Sequence, residues 1–452
     1  IKDHRVFSNY GEILKGIGSY KEAKEILEKA IKLNPYNSND HKNLGAILIQ
    51  FNQLKEAKLA TEEAIKLDPN SEKAYFNLGL IYRFNGQIKE AQIAIRKAIE
   101  LKPDFGIAYE SLGLISLEKI KYDLSLKYFS KSAQLLSVSE KKNTDYDHTR
   151  FNTISHAKID HDIEQFEYLA FQGYETKKFT DLAILYKKIA SEINWPNDTK
   201  LITLSNEYQS LLKDSYNRLI HILKAPKLKE EVVNNSLNVE KITNDYFNHE
   251  FGLTYIDNLL SSKAIESLRK FLLESTIWFD VKPNGYLGTY LSEGLANPLI
   301  IQIADELRKK LPKILKDHPI THIWAYKYDS RAKNKDSSIK GINIHADAAA
   351  VNVNFWITPK QANLNPDSGG LIVYNLEAPK DWDFNTFNRN TKRIQEAIKN
   401  SKANKKIIPY NENRAVIFDS NLFHETDNYE FKEGYENRRI NITILFGRRE
   451  NS

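Results

Sequence analysis

A fixed period of 34 residues runs through the first third of the chain. Glycine recurs at this spacing as Gly11, Gly45, Gly79 and Gly113, inside the motifs Asn-Tyr-Gly, Asn-Leu-Gly, Asn-Leu-Gly and Ser-Leu-Gly. Two alanines and a proline follow each of the first three glycines at constant distances: Ala23, Ala30 and Pro35; Ala57, Ala64 and Pro69; Ala91, Ala98 and Pro103. A period of this length predicts an array of stacked units.

The pattern predicts two antiparallel helices per unit, which cross closely at the small residues and end at the proline. These positions resemble those of the tetratricopeptide repeat. In the fourth unit Ser125, Ser132 and Ser137 replace the alanines and the proline, as suits a terminal repeat. We therefore expect an α-solenoid of tetratricopeptide repeats over residues 1–138.

The first helices of the units should line the concave side of this solenoid. Lys42, Lys73, Phe76 and Arg83 fall on that side and would form a mildly cationic, partly apolar groove. Such a groove favours a protein or peptide partner. The alternative is that the lysines form an ordinary solvated face.

Composition limits the chemistry available to the 452 residues. Cysteine is absent, which excludes disulfide scaffolds, cysteine zinc sites, iron–sulfur clusters and thiol nucleophiles. Any metal must therefore bind His, Asp or Glu. The net charge of +6 arises from 65 basic and 59 acidic residues, a balance that argues against a nucleic-acid partner.

The chain contains no apolar stretch near the roughly 18 residues of a membrane-spanning helix. Residues 1–11 lack the basic-then-apolar order of a secretory signal. We expect a cytoplasmic protein that does not bind membranes. Because the sequence begins with Ile1, a removed leader or a shortened N-terminus stays open.

Residues 139–250 are predicted to form a helical linker region. A polar connection over 140–150 precedes apolar residues spaced by three and four positions, and a further helix is expected over 201–223. His156, His161 and Asp162 are candidate metal ligands in this region, but the pattern favours solvated positions on a charged helix face.

From residue 251 the pattern changes. Helices predicted at 262–273 and 299–311 are followed by short β-type runs at 320–328, 341–346, 351–358, 371–374, 406–409, 415–418 and 440–446. Runs of this kind predict an antiparallel β-sandwich or jelly roll over residues 251–452. The fold class is therefore multidomain α + β.

The sharpest chemical signal is His345-Ala346-Asp347 together with His424, which follows His345 by 79 residues. Residues two apart on an extended segment share one face, so His345 and Asp347 should point the same way. Two imidazoles and one carboxylate on one side of a metal leave three positions open, which is the ligand set of non-heme Fe(II) oxygenases.

Longer motifs surround these residues. They are Gly341-Ile-Asn-Ile-His345-Ala-Asp347, Gly369-Gly370-Leu371, Ala415-Val-Ile-Phe-Asp-Ser-Asn-Leu-Phe-His424-Glu and Arg439-Ile-Asn-Ile-Thr-Ile. Together they resemble the double-stranded β-helix of 2-oxoglutarate- and Fe(II)-dependent dioxygenases, over roughly residues 251–452. The fusion to tetratricopeptide repeats also resembles a group of repeat-containing oxygenases.

The resemblance implies iron ligation by His345, Asp347 and His424, with 2-oxoglutarate and O2 as cosubstrates. It also implies a basic residue on the last strand that pairs with the far carboxylate of 2-oxoglutarate. Arg438 and Arg439 compete for this role. Arg439 shares its strand phase with the polar Asn441 and Thr443, so we choose Arg439, with Asn441 where the family often has a hydroxyl residue.

Further residues are weaker candidates. Tyr326 and Tyr328 are candidates for a phenol contact to the cosubstrate, and Asn343, Asn354 and Arg438 for the wall of the pocket. Each of these tyrosines is also an ordinary strand residue. Arg448 and Arg449 are predicted to be a solvated basic tail. The segments 331–340 and 377–413, the second with a helix near 391–401, are candidate lids or plain surface.

We expect an oxygenase, most simply a hydroxylase, whose repeats bind a partner. The alternative is a non-catalytic interaction protein with a metal-binding but inactive β-helix domain. A metal-dependent hydrolase is disfavoured because no His-Glu-x-x-His arrangement occurs.

Overall fold

The computed structural model describes residues 3–138, 149–282, 284–331 and 341–449. The chain divides into two compact units, Ile1–Ile115 and Ser116–Ser452. The predicted domain bounds after residues 138 and 250 stay predictions. Among the described residues, no helix combines the length and the apolar character needed to span a bilayer.

The first unit is helical. It contains α1 (His4–Gly16), α2 (Tyr20–Leu33), α3 (Ser38–Gln50), α4 (Leu54–Leu67), α5 (Glu72–Phe84), α6 (Ile88–Leu101) and most of α7 (Gly106–Glu118). The helices come in pairs with the period of the sequence, so the predicted N-terminal solenoid of tetratricopeptide repeats is confirmed.

Close helix crossings explain the periodic glycines. A Cβ atom on Gly45 would lie 2.5 Å from Thr61 Oγ1, and a Cβ atom on Gly79 would lie 2.5 Å from Ile95 Cγ1. The periodic alanines of the second helices are fully buried: Ala23, Ala30, Ala57, Ala64, Ala91 and Ala98. The spacing of small residues therefore sets how closely the two helices of each unit approach.

The second unit begins with helices and continues into sheets. Its helices are α8 (Tyr122–Val138), α9 (Thr149–Asn152), α10 (His156–Phe171), α11 (Thr176–Glu192), α12 (Asn206–Leu212), α13 (Val239–Asn248), α14 (Ser262–Glu274), α15 (Pro298–Lys310), α16 (Pro312–Leu315), α17 (Phe384–Arg389) and α18 (Thr391–Ser401). The helices predicted at 262–273, 299–311 and 391–401 are confirmed as α14, α15 and α18.

The helix predicted over 201–223 is wrong. Helix α12 covers Asn206–Leu212 alone, and a turn follows in which Asn217 has a φ of 53°. Before it, β2 (Ile202–Thr203) pairs with β1 (Thr153–Ile154). Local apolar spacing did not reveal this pairing, because the partner strand lies about 50 residues earlier. Most of the predicted connection at 140–150 lies outside the described residues.

Two antiparallel sheets dominate the rest of the unit. The larger contains β3 (Leu253–Ile256), β4 (Asp280–Val281), β5 (Leu287–Tyr290), β6 (Ile320–Tyr328), β7 (Val351–Trp356), β10 (Ala415–Asp419) and β12 (Arg439–Phe446). Its order is β3-β10-β7-β12-β6-β5-β4. The smaller sheet contains β8 (Leu371–Glu377), β9 (Lys405–Ile408) and β11 (Leu422–Thr426), in the order β11-β8-β9.

Side chains from both sheets share one apolar core. Trp356, Val416 and Phe418 of the larger sheet belong to the same buried cluster as Val373 and Leu422 of the smaller sheet. Six of the predicted β runs are confirmed as β6, β7, β8, β9, β10 and β12. The C-terminal region is therefore a sheet-rich, antiparallel structure with a core between its two sheets.

The predicted strand at 341–346 is wrong as a continuous strand. In this segment His345 alone forms a β-bridge, an isolated antiparallel one with His424. The segment turns in front of His345, where Gly341 has a φ of 104°. Alternating apolar residues are shared by strands and by irregular buried segments, which explains the error.

Helix α10 is buried on the face that was predicted to be solvated. His161 and Asp162 are 0% and 5% exposed, and Lys158 is 2% exposed. The Lys158 ammonium and the His161 Nδ1 atom both contact the Asp162 carboxylate. The prediction that His161 and Asp162 are exposed to solvent is therefore wrong. Polar and charged residues that pair with each other can be buried together.

Candidate metal centre

His345 and His424 are held opposite each other by their backbones. The amide of His345 donates to the carbonyl of His424 over 3.0 Å, and the reverse bond measures 2.8 Å. The amide of Asp347 donates to the carbonyl of Ser420 over 3.0 Å. The 345–347 segment is thus fastened to the turn and strand that carry His424.

The three predicted metal ligands converge. Each offers one ligand atom, and these atoms lie within 4.8 Å of one another. His345 Nε2 is 3.6 Å from Asp347 Oδ1, and His424 Nε2 is 3.5 Å from Asp347 Oδ2. Asp347 and His424 are buried, and His345 is partly buried. Two imidazole nitrogens and one carboxylate therefore face a single point.

Backbone carbonyls orient both imidazoles. His345 Nδ1 lies 2.8 Å from the carbonyl oxygen of Asn343, and His424 Nδ1 lies 3.0 Å from that of Leu422. A carbonyl accepts and does not donate, so each Nδ1 carries the proton and each Nε2 keeps its lone pair. Asn352 Nδ2 donates to Asp347 Oδ2 over 2.6 Å. Such outer contacts are typical of metal ligands.

The electrostatics keep His345 and Asp347 in their metal-binding protonation states. Burial, followed by repulsion from His424, lowers the pKa of His345 to about 4. Burial alone would raise the pKa of Asp347, but its contacts with His424 and His345 and the hydrogen bond from Asn352 outweigh burial and lower that pKa. At neutral pH His345 is therefore neutral and Asp347 ionised, as metal binding requires.

The face of the larger sheet beside the triad carries buried polar atoms without hydrogen-bond partners in the described part of the chain. These atoms are Asn352 Oδ1, Asn354 Oδ1, Trp356 Nε1 and the hydroxyl of Tyr328. Asn352, Asn354 and Trp356 alternate along β7, so their side chains lie on the same face of the sheet. Buried polar groups are nearly always hydrogen-bonded, so this cluster indicates a place for a polar ligand.

Arg439 lies on the same face. Its guanidinium donates to the carbonyls of Gly369 and Gly370, over 2.7 and 3.3 Å, and to Asn441 Oδ1 over 3.3 Å. It is 2% exposed and lies 4.7 Å from the centre of the Tyr328 ring. Within the described residues no carboxylate lies within 4 Å of this guanidinium.

The tyrosine candidates border Arg439. Tyr328 pairs with Arg439 and Tyr326 with Asn441 across β6 and β12. Tyr326 also exchanges a 3.3 Å hydrogen bond with the hydroxyl of Tyr290. The ring of Tyr328 stacks on that of Tyr286, with 5.0 Å between centroids. The residues predicted to bind the cosubstrate therefore lie side by side on two paired strands. They are Arg439, Asn441, Tyr326 and Tyr328.

Of the three residues predicted for the pocket wall, only Asn354 has its side chain on the triad side. Asn343 is exposed and contributes only its backbone carbonyl to His345. Arg438 points to the opposite face of β12, where it contacts Glu164 and Asp329. Asn354 does lie on the triad side and donates to Thr443 Oγ1 over 2.9 Å.

Sequence reasoning missed Asn352 and Phe418. Asn352 holds the Asp347 carboxylate, and the Phe418 ring packs edge-on against His424 with centroids 4.8 Å apart. The Asn-Val-Asn alternation of β7 contained the signal for Asn352, because it shares the strand phase of the predicted Asn354. Phe418 follows an ordinary apolar pattern and gave no signal.

Arg449 is not part of a solvated tail. It is 5% exposed, and its Nη2 atom donates to the carbonyls of Ala378 and Pro379 over 2.7 and 2.9 Å. Arg448 is more open and pairs with Glu118 over 2.8 Å. The prediction is therefore wrong for Arg449, because its guanidinium binds backbone carbonyls of the two residues that follow β8. The predicted lid at 331–340 lies, beyond Arg331, outside the described residues.

The predicted groove residues in the first unit differ in exposure. Lys42, Lys73 and Arg83 are partly exposed. Phe76 is 8% exposed, and its ring lies 5.3 Å from that of Phe105. The cationic side chains thus reach the surface, whereas the phenylalanine mainly packs inside the unit.

Comparison with protein families matches the tetratricopeptide repeat to residues 4–37, 43–71 and 72–105. Similar solved structures include a crystal structure of MamA, with 30% identity, a TM-score of 0.28, and coverage of 30% of this chain and 79% of that one. Another is MamA from Desulfovibrio magneticus RS-1, with 26% identity, a TM-score of 0.28, and coverage of 32% and 79%.

A third is the first repeat domain of Spaghetti (RPAP3) bound to an HSP90 peptide, with 24% identity, a TM-score of 0.25, and coverage of 25% and 90%. No curated protein matches the chain. The repeat positions, the paired helices and the family match agree, and residues 4–37, 43–71 and 72–105 are tetratricopeptide repeats.

Proposed function

We propose that the protein is an Fe(II)- and 2-oxoglutarate-dependent oxygenase, acting as a hydroxylase, whose repeats bind a protein or peptide partner. The observation that carries the proposal is the convergence of His345, Asp347 and His424 beside a buried polar surface that ends in Arg439. In this proposal the keto-acid end of 2-oxoglutarate binds at the triad and its far carboxylate binds Arg439.

The donor set fits Fe(II). Two neutral imidazoles and one carboxylate form the ligand set of non-heme Fe(II) oxygenases, and they leave positions for cosubstrates. Bound Fe(II), 2-oxoglutarate and O2 together supply the oxidation that hydroxylates a C–H bond. His345 and His424 contribute their Nε2 atoms, while Asn352 holds the carboxylate of Asp347 in place.

Arg439 fits the distal carboxylate of 2-oxoglutarate. A guanidinium has five N–H groups, and the carbonyls and the Asn441 amide occupy three of them. A buried cation without an anionic partner is costly, so an incoming carboxylate would stabilise the site. The unpartnered hydroxyl of Tyr328, beside Arg439, can donate a hydrogen bond to the same carboxylate.

The arrangement of the sheets also supports the proposal. Two antiparallel sheets enclose one core, and the ligands come from the smaller sheet's β11 and from a segment bridged to it. We infer that this is the double-stranded β-helix, or jelly roll. In that fold the triad lies between the sheets, where water is largely excluded and a reactive oxidant is protected from side reactions.

The repeats supply the partner interaction. Tetratricopeptide repeats expose an extended concave surface, on which we place Lys42, Lys73 and Arg83, all three of which are partly exposed. We infer that this surface binds an acidic or polar peptide segment and so selects the protein that is oxidised.

The test is an assay of succinate release from 2-oxoglutarate by the full chain with Fe(II) and O2. We expect release by the wild-type protein and none by His345→Ala, because the metal would lose one of three ligands. His249→Ala, which changes a histidine of the same unit outside the triad, should behave like the wild type. Absence of release in the wild-type protein, with iron bound, would favour the non-catalytic alternative.

A further inference from the structure

The insertion that follows β8 packs against the metal-ligating segment. Its first helix, α17, contributes the carbonyl of Phe387, which accepts a 3.0 Å hydrogen bond from the amide of Ala346. The next residue, Asn388, donates its Nδ2 to the carbonyl of Ala346 over 2.8 Å. Ala346 lies between the ligands His345 and Asp347, so both of its backbone polar groups are bound by α17.

Apolar contacts strengthen this attachment. Ile344, Ala346, Phe387, Ile394 and Phe423 belong to one buried cluster, each with 4% exposure or less. Ile344 and Ala346 flank the ligand His345, and Phe423 precedes the ligand His424. The insertion thus packs under both segments that carry histidine ligands.

The C-terminal end of the chain fixes the start of the insertion. Arg449 donates to the carbonyls of Ala378 and Pro379, and its guanidinium lies 4.2 Å from the centre of the Phe387 ring. A moving lid needs few buried contacts and exposed hydrogen bonds. Helix α17 instead makes buried apolar contacts and is hydrogen-bonded to the metal-ligating segment.

We propose that α17 is a fixed brace that sets the geometry of His345 and Asp347, and that Asn388 is a positioning residue of the metal centre. The inference rests on the metal site of the proposed function. Under this inference the insertion holds the metal ligands in position and does not act as a moving lid. Asn388 is suited to this part because its amide supplies a donor to a carbonyl that the bridge to His424 leaves unpaired.

The test measures metal affinity without turnover. Co(II) replaces Fe(II) under nitrogen, and its visible absorption reports both the dissociation constant and the coordination geometry. Asn388→Asp keeps the size of the side chain and removes the donor, so we expect binding to weaken by about 10- to 100-fold, as for other outer-shell partners, with a changed absorption spectrum. Asn385→Asp is the matched control, because it adds the same charge at an exposed position of the same helix.

Equal Co(II) affinities and spectra for these two variants would contradict the proposal that α17 is a brace. Failure of the wild-type protein to bind Co(II) at the triad would instead overturn the proposed function. A second measurement does not depend on whether the variant folds. Hydrogen exchange of the wild-type Ala346 amide should be slow with and without metal, and rapid exchange in the metal-free protein would also overturn the brace.

Discussion

Arg438 and Arg439 are adjacent and both buried, yet their guanidinium groups have opposite surroundings. Arg438 lies 2.9 Å from carboxylate oxygens of both Glu164 and Asp329. Arg439 bonds only to uncharged groups in the described structure, namely two carbonyls and the Asn441 amide. The alternation of side chains along β12 creates this difference. Arg438 is paired within the fold, and Arg439 is the residue that we propose binds the cosubstrate.

The first prediction concerns cosubstrate binding. Loss of one partner from a desolvated charge pair typically costs about 2–5 kcal/mol, so Arg439→Ala should weaken 2-oxoglutarate binding by roughly 30-fold to more than a thousandfold. Iron should still bind, because His345, Asp347 and His424 are unchanged. Titrations of 2-oxoglutarate into the iron-loaded variant under nitrogen measure the effect.

Arg438→Ala is the control in these titrations, and its cosubstrate affinity should stay close to that of the wild type. If Arg438→Ala shows the large loss and Arg439→Ala does not, the assignment of the anchor is wrong by one residue. If neither substitution matters, 2-oxoglutarate is not the cosubstrate.

The second prediction concerns stability. Arg438→Ala removes the buried cation that the partly buried Glu164 and the buried Asp329 share, and leaves them only the more exposed Arg331. We expect the free energy of unfolding to fall by about 3–5 kcal/mol, as for other broken buried ion pairs. Urea unfolding of the metal-free protein measures it. A change below about 1 kcal/mol would mean that Arg331, which also contacts both carboxylates, suffices to neutralise them.

The third prediction concerns pH. Burial, followed by the nearby charges of Lys327, Arg438 and Lys158, holds the pKa of His161 well below its usual value. Below about pH 6.5 the unfolded chain therefore binds a proton that the folded chain does not bind. The free energy of unfolding falls as the pH is lowered. The loss from this group should approach about 1.4 kcal/mol per pH unit below pH 6.5.

His161→Asn removes the titrating group and keeps a donor near Asp162. Urea unfolding at pH 7.5, 6.5 and 5.5 should show a shallower pH dependence for this variant than for the wild type. Parallel curves would show that His161 does not contribute, and that other groups of the buried cluster set the acid sensitivity.

The fourth prediction concerns the boundary of the second unit. Side chains of α10 and of the residues after it contact residues beyond position 251: Glu164 pairs with Arg438, Gln165 Nε2 donates to the carbonyl of Ser275, and Tyr174 donates to Glu274. A chain that begins at residue 116 should therefore fold and bind metal, whereas one that begins at 251 should not fold. Circular dichroism and thermal unfolding test both chains, and cooperative unfolding of the shorter one would contradict the prediction.

The sequence predicts the repeats and the convergence of His345, Asp347 and His424, because these signals are local or chemically distinctive. Gly45 and Ala57 mark a close helix crossing at a fixed spacing, and His345, Asp347 and His424 form a rare donor set within recognisable motifs. The sequence also predicts that Arg438 and Arg439 point to opposite faces, because side chains alternate along any strand.

Features set by distant partners were not predictable in this way. His161 is buried because a charged helix face meets the sheet region, and nothing near it in sequence indicates this contact. The 341–346 segment alternates like a strand, but one bridge to His424 and the contacts of Ala346 with α17 shape it. Asn352 was missed because its role depends on the position of Asp347, five residues away along an irregular segment.

The most direct measurement of the central claim is the visible spectrum of the Fe(II)-loaded full chain as 2-oxoglutarate is added under nitrogen. Chelation of the keto acid to iron held by His345, Asp347 and His424 should produce a weak charge-transfer band that saturates at one equivalent and is absent from His345→Ala. A wild-type protein that binds one Fe(II) but shows no band at saturating 2-oxoglutarate would contradict the claim.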